Sequence, residues 1–273
     1  FAMRAGTDPE ALPVYVGSHL DTQPTGGKYD GVLGVLGGLE ILRTLNDTGI
    51  KTKHPIVVTN WTNEEGTRYA PAMLSSGVFA GIHTQDWAYA REDAEGKKFG
   101  DELKRIGWRG EEEVGARKMH AFFELHIEQG PILEADALDV GVVTGVQGLR
   151  WFTIELQGFP AHAGPTPMVG RKDPAKVMAA IVSAVYAAVE SQGEWARATF
   201  AQFHSEPVSP NTIPEVLRCT LDIRHPDGEV LNKMEADMRA IVAAEADRLG
   251  VGYSIELQND SEPVAFADEL IDS

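Results

Sequence analysis

Three short apolar runs constrain this chain more than any other feature: PVYVGS at 13–18, PIVVTNW at 55–61 and MHAFFELHI at 119–127. Their apolar residues run together instead of alternating, which is the pattern of strands buried on both faces. Such strands need cover on each side, and parallel sheets obtain it from helices. One helix is expected at 31–48, where Val32, Val35, Leu36, Leu39, Leu42 and Leu45 recur at three- and four-residue steps until Gly49 stops them. The charged stretch 91–118 reads as surface. Residues 1–139 are therefore expected to form an α/β unit, a mostly parallel sheet with helices on both faces.

Near residue 140 the pattern changes. Segments 140–146 and 150–157 read as paired strands, and in the second Trp151, Thr153 and Glu155 alternate with Phe152, Ile154 and Leu156. An alanine-rich helix at 173–190 follows, opened by Asp173-Pro174, a good N-cap with proline at the first helical position. Strands at 197–204 and 216–224, a helix at 229–248 and a strand at 251–257 complete an α+β pattern. It predicts an antiparallel sheet with two helices on one face. The first unit is unfinished when the second begins, so 140–257 is expected to be an insertion, with 258–273 returning to the α/β unit.

The 273 residues carry 41 acids against 24 bases, a net charge of −17. That balance argues against nucleic acid and anionic membrane surfaces as partners. No apolar run is long enough to span a bilayer, and Phe1-Ala-Met-Arg has no apolar signal region. One cysteine, Cys219, leaves no intrachain disulfide. A cytoplasmic protein is expected.

Four clusters carry chemistry, and those that follow the apolar runs fall where α/β sheets place ligands. In Gly17-Ser18-His19-Leu20-Asp21, His19 and Asp21 share a side of extended chain, so a carboxylate can orient the imidazole. Gly26-Gly27-Lys28-Tyr29-Asp30-Gly31 presents Asp30 just before a helix, where a plain N-cap is the simpler reading. Thr62-Asn63-Glu64-Glu65-Gly66 sets two neighbouring acids behind buried residues, which is costly unless a cation compensates. Glu124-Leu125-His126-Ile127-Glu128-Gln129-Gly130-Pro131 places His126 at a strand end, where a histidine satisfied by its surroundings is the alternative. Together these donors are nitrogen and oxygen only, a set that suits zinc and tolerates manganese, cobalt or nickel.

The four strings resemble the motif series of the co-catalytic di-zinc amidohydrolases, a superfamily of aminoacylases, dipeptidases and carboxypeptidases. LHIEQGP at 125–131 is similar to its carbamoyl-amidohydrolase branch: β-alanine synthase (β-ureidopropionase), N-carbamoyl-L-amino-acid hydrolases and allantoate amidohydrolase. PAHAGPTP at 160–167, PNTIP at 210–214 and CTLDIRHP at 219–226 resemble the same branch. The resemblance implies two divalent metal ions bridged by Asp30, with His19 and His126 on one and Glu65 on the other. It makes Glu64 the general base, with Asp21 orienting His19. It implies that His162 reaches the site of a partner subunit in a homodimer and stabilises the oxyanion, and that Gln129, Asn211 and Arg224 hold the substrate carboxylate.

The implied reaction is hydrolysis of the ureido C–N bond of an N-carbamoyl amino acid. The stretch Gly17 to Pro24 and Lys28 resemble β-alanine synthases more than the other members of the branch, and that resemblance implies N-carbamoyl-β-alanine as substrate, the last step of reductive pyrimidine breakdown. N-carbamoyl-α-amino acids and allantoate are the nearest alternatives, then dipeptides or acylated amino acids, or a non-catalytic dimeric binding module. The superfamily's second metal takes a further histidine near the C-terminus. The eight histidines are His19, His54, His83, His120, His126, His162, His204 and His225, and none lies between Pro226 and Ser273. The chain is accordingly expected to be part of a longer hydrolase, to hold at most the His19, Asp30, His126 metal well, to turn over poorly alone and to self-associate.

Overall fold

The computed structural model describes residues 1–25 and 27–273; Gly26, in the glycine turn before Asp30, lies outside the described residues. The chain divides into two compact units, Phe1–Gly141 and Val142–Ser273.

In the first unit, strands β1 (Ala2–Arg4), β2 (Val14–His19), β3 (Ile56–Trp61) and β4 (Ala121–Phe123) form one sheet in the order β1-β3-β2-β4. β2 runs parallel to both β3 and β4, as the continuous apolar runs predict, while β1 adds an antiparallel edge that carries no comparable signal. Helix α1 (Val32–Asp47) lies on β2 and β3. It does so through Gly34, Val35 and Gly38, and Leu36 and Leu39 stay exposed, contrary to the periodic reading. The reason is close approach: a Cβ on Gly38 would stand 3.2 Å from Val58, and one on Gly34 2.6 Å from the Leu125 carbonyl. Tyr15 on the opposite face of β2 meets the rings of Phe1 and Phe79.

Short helices α2 (Leu74–Phe79), α3 (Gln85–Tyr89) and α4 (Phe99–Arg105) enclose a small core of Tyr69, Leu74, Val78, Ala88 and Phe99. The stretch 91–118 is therefore not all surface, since Phe99 anchors α4 inside it. Only Ala121–Phe123 of the expected strand 119–127 is paired; the residues beyond it lead to α5 (Ile132–Ala135).

The second unit comprises β5 (Gly145–Val146), β6 (Gly148–Gln157), β7 (Ala161–His162), β8 (Arg197–Glu206), β9 (Thr212–Ile213), β10 (Val216–His225), β11 (Gly252–Ser261) and β12 (Val264–Ala265), together with helices α6 (Pro174–Glu190) and α7 (Gly228–Leu249) and a last turn α8 (Asp268–Ile271). The main sheet, β11-β6-β10-β8, is antiparallel throughout. Phe152, Ile154 and Leu156 of β6 and Leu221 and Ile223 of β10 pack against Ile181 and Val185 of α6 and Met238 and Val242 of α7. This is the predicted pair of helices on one face of an antiparallel sheet. Asp173 caps α6 and Asp227 caps α7 with their carboxylates, and Gly250 ends α7 in the left-handed conformation.

Trp151 is 41% exposed on the open face of β6. The segment from 258, expected to return to the first unit, stays with the second. Its strand continues to Ser261, Asp260 and Glu262 bind the buried Arg150 guanidinium, and Val264–Ala265 pair with Gly145–Val146. No helix among the described residues is long and apolar enough to cross a membrane.

Candidate metal centre and active site

β2 delivers His19 to the carboxyl end of the sheet almost wholly buried, at 2% exposure. The turn before α1 closes over it. Gly31 adopts φ 67°, and a Cβ there would stand 2.5 Å from the His19 ring, so only glycine lets the turn come this close. That turn buries Asp30 beside the histidine. Its Oδ1 lies 3.5 Å from His19 Nε2 and 2.9 Å from His126 Nε2. Both Nδ1 atoms face backbone carbonyls, Asp21 O at 2.9 Å for His19 and Ile127 O at 2.8 Å for His126. Each histidine thereby turns Nε2 towards the carboxylate.

The acid pair enters from the end of β3. Asn63 takes φ 58° and grips its own loop, donating to the Tyr69 carbonyl at 2.7 Å and accepting from the Tyr69 amide at 3.3 Å. Glu64 Oε2 then lies 3.6 Å from His19 Nε2. Asp21, expected to orient His19 through its carboxylate, meets it chiefly through its backbone carbonyl; the nearest carboxylate oxygen is 3.9 Å from Nδ1. That carboxylate instead accepts the backbone N–H groups of Glu64 and Glu65, at 3.1 and 3.0 Å. Glu65 Oε2 accepts from Gln23 at 3.0 Å, while its Oε1 is buried with no hydrogen-bond partner among the described residues.

Two donor sets converge here: His19, Asp30 and His126, and His19, Glu64 and Glu65, with the donor atoms of each set within 4.8 Å of one another. Asp30 belongs to the first set and Glu65 to the second. An orphaned buried carboxylate oxygen among imidazole nitrogens and further carboxylates fits a divalent cation, because otherwise its burial goes uncompensated. The electrostatics follow from the same crowding. Burial, the largest influence, raises the Glu64 carboxyl above its ordinary value, and Glu65, Asp21 and Glu124 add to it against the opposing His19. For His19, burial alone would lower the pKa, but the Asp21 carbonyl and the Glu64, Asp21 and Asp30 carboxylates together raise it.

Three further contacts were not read from the sequence. Gln129, in a left-handed conformation at φ 54°, donates its side-chain amide to Asp30 Oδ2. Glu128 accepts the Ile132 and Leu133 amides at 2.8 and 3.1 Å, fixing the turn that presents Gln129. Ser18 donates to Glu124. Their only trace in the sequence is adjacency to the two histidines.

In the second unit, β7 and β9 pair His162 with Thr212, and the Ala163 amide donates to the Asn211 carbonyl at 2.8 Å. His162 and Asn211 are therefore neighbours beyond the end of the sheet where Gln157 faces Val216. Arg224 pairs with Leu149 at the other end of β10, its guanidinium held by Asp222 at 2.7 Å. Eight residues at about 3.4 Å each separate the two ends of that strand by roughly 27 Å.

Comparison with known proteins gives a consistent picture. The chain is 58% identical over 273 residues to an N-carbamoyl-L-amino-acid amidohydrolase of Rhizobium meliloti, covering all of this chain and 66% of that protein. It is 31% identical to an allantoate amidohydrolase of Bacillus subtilis, covering 99% and 66% of the two chains. A crystal structure of an amidase of the hydantoinase/carbamoylase family from Burkholderia multivorans superposes with a TM-score of 0.91 at 48% identity, over 99% of this chain and 66% of that one. The chain thus spans about two thirds of the length of the relatives it matches. The model of peptidase family M20/M25/M40 matches residues 15–272, nearly the whole chain, and the protein belongs to that family.

Proposed function

We propose that the chain carries the catalytic machinery of a metal-dependent amidohydrolase that cleaves the ureido C–N bond of N-carbamoyl-L-α-amino acids, releasing the amino acid, carbon dioxide and ammonia. The observation that carries the substrate class is the 58% identity, without truncation of this chain, to an N-carbamoyl-L-amino-acid amidohydrolase. N-carbamoyl-β-alanine, favoured on the strand-end string alone, finds no support among the matched relatives, and the pyrimidine-breakdown role goes with it. Allantoate is the second reading, since relatives at 31% and 32% identity hydrolyse it by name.

In this reading His19, Asp30 and His126 hold one divalent ion, zinc by preference, and Glu65 contributes to a second. When bound, such ions lower the pKa of water and polarise a carbonyl. Glu64 takes a proton from the attacking water and delivers it to the leaving nitrogen; its raised pKa suits both halves of that task. Asp21 keeps Glu64 and Glu65 in place through their amides. His162 donates to the oxygen that gains charge as the carbonyl carbon becomes tetrahedral. Gln129, Asn211 and Arg224 bind the substrate carboxylate, Arg224 by its two-pronged guanidinium after releasing Asp222.

The division of labour between units supports a homodimer. Along β10, Arg224 lies about 27 Å from Val216, the strand end that β9 leads into (eight residues at about 3.4 Å each), and that separation supports two copies of the second unit serving each other's sites. The first unit is then the catalytic domain and the second an inserted lid and dimerisation domain. A single buried, free cysteine fits the reducing cytoplasm.

The test is ammonia release from metal-loaded protein against a panel of N-carbamoyl-L-α-amino acids, N-carbamoyl-β-alanine, allantoate and dipeptides. The highest kcat/KM is expected for the first class. A dominant allantoate or β-alanine derivative rate would reassign the substrate, and protein that retains no metal and turns over nothing would point to a binding module.

A further inference from the structure

His19 is the last residue of β2, and His126 follows the end of the parallel strand β4 by three residues. The ladder between β2 and β4 pairs Val14 with Ala121, Tyr15 with Phe122 and Val16 with Phe123, and then stops. Continued in the same register, it would set His19 opposite His126. β2 goes on to pair with β3 as far as His19 and Trp61, but the chain after Phe123 has no such partner among the described residues. What spans the gap is a side-chain bond, in which the hydroxyl of Ser18 donates to the carboxylate of Glu124. Ser18 is fully buried, and it is pressed against α1 at Gly34, where an added Cβ would stand 2.6 Å from both the Ser18 Cβ and the Leu125 carbonyl. Glycine at 34 thus lets the helix clamp both strand continuations at the level of this bond.

We propose that Ser18 and Glu124 are positioning residues, a tie that replaces the missing ladder rung and sets the separation of His19 and His126. The proposal rests on the reading of those histidines as metal ligands. A hydroxyl–carboxylate bond is charge-assisted and directional. Each end of it is joined to a histidine by one or two residues of chain, so its loss is transmitted to the imidazoles. Glu124 is itself exposed, so water can replace a lost partner. The tie therefore bears on geometry more than on global stability.

The experiment is titration of metal-free protein with Co²⁺ alone, read by the visible bands of the bound ion, alongside amide hydrogen exchange of residues 121–127 without metal. Ser18→Ala and Glu124→Ala are each expected to weaken Co²⁺ binding about 10–100-fold, the range found when a partner of a ligand is removed. The double variant should be no worse than either single one, because both remove the same bond. Glu124→Gln, which keeps an acceptor for the hydroxyl, should stay within about threefold of the wild type on that account. Exchange at 124–126 should quicken in Ser18→Ala. Unchanged Co²⁺ affinity in Ser18→Ala, or additive losses in the double variant, overturns the tie. Should the wild type bind no Co²⁺, the metal-ligand reading fails, and exchange alone decides whether Ser18 orders the segment: unchanged exchange rejects it.

Discussion

At Asp30 two imidazole nitrogens address one carboxylate oxygen, and two glutamates stand behind the same histidine. Each residue of this group has a distinct consequence when altered. Glu65→Gln should lower the metal held per chain, measured by atomic absorption, because it removes the charge whose buried Oε1 has no hydrogen-bond partner among the described residues. Arg224→Ala should raise KM for carboxylate-bearing ureido substrates by at least about thirtyfold, a cost of about 2 kcal/mol, and leave their amides far less affected. Equal effects on acid and amide would remove Arg224 from carboxylate recognition. That these donors could group together was partly legible, because His19 and the Glu64-Glu65 pair each follow a buried run. The actual partner of the Asp21 carboxylate was not. Spacing of two placed it beside His19, whereas the fold brings the amides of residues 64 and 65 to it from the end of the neighbouring strand β3, a long-range contact that no local pattern encodes.

Among the elements, β6, β10, α6 and α7 follow their alternation and periodicity closely, since each has one buried face and recognisable caps. α1 departs from its pattern because glycines, invisible to a count of apolar residues, are what touch the sheet. The end of the chain departs because Arg150, buried in β6, draws Asp260, Glu262 and Glu235 to itself. Arg150→Ala should therefore destabilise the second unit by about 2–4 kcal/mol, seen as a lower denaturant midpoint, because three carboxylates lose their common cation. A midpoint unchanged within error would mean the cluster is solvated and idle. Cys219 offers a second check on this core. Burial pushes its thiol up from 9.0 to about 12, so the folded state disfavours the thiolate. Stability from this group is constant below the unfolded thiol value and is lost as pH rises from there towards 12. A thiol reagent at pH 8 should leave Cys219 unmodified in folded protein and modify it fully in denaturant; rapid labelling of folded protein would contradict its burial.

For the whole molecule, the two units divide the proposed chemistry between an acidic, histidine-bearing sheet end and a loop pair carrying His162 and Asn211. Mixing His162→Ala with Glu64→Gln should restore part of the activity that each lacks alone, because a heterodimer would hold one complete site; no recovery after verified subunit exchange would mean His162 acts within its own chain or not at all. The two-unit plan was legible from the switch between continuous and alternating apolar runs. The substrate was not, because the donor groups around His19 concern the binding of a cation and not of an organic substrate. The most direct measurement is on Glu64→Gln: metal per chain together with the rate of ammonia release from an N-carbamoyl-L-α-amino acid. Metal content equal to the wild type with a rate at least about a hundredfold lower is expected of a lost general base. A rate within a fewfold of the wild type, metal retained, would contradict the assignment of this cluster as the hydrolytic centre.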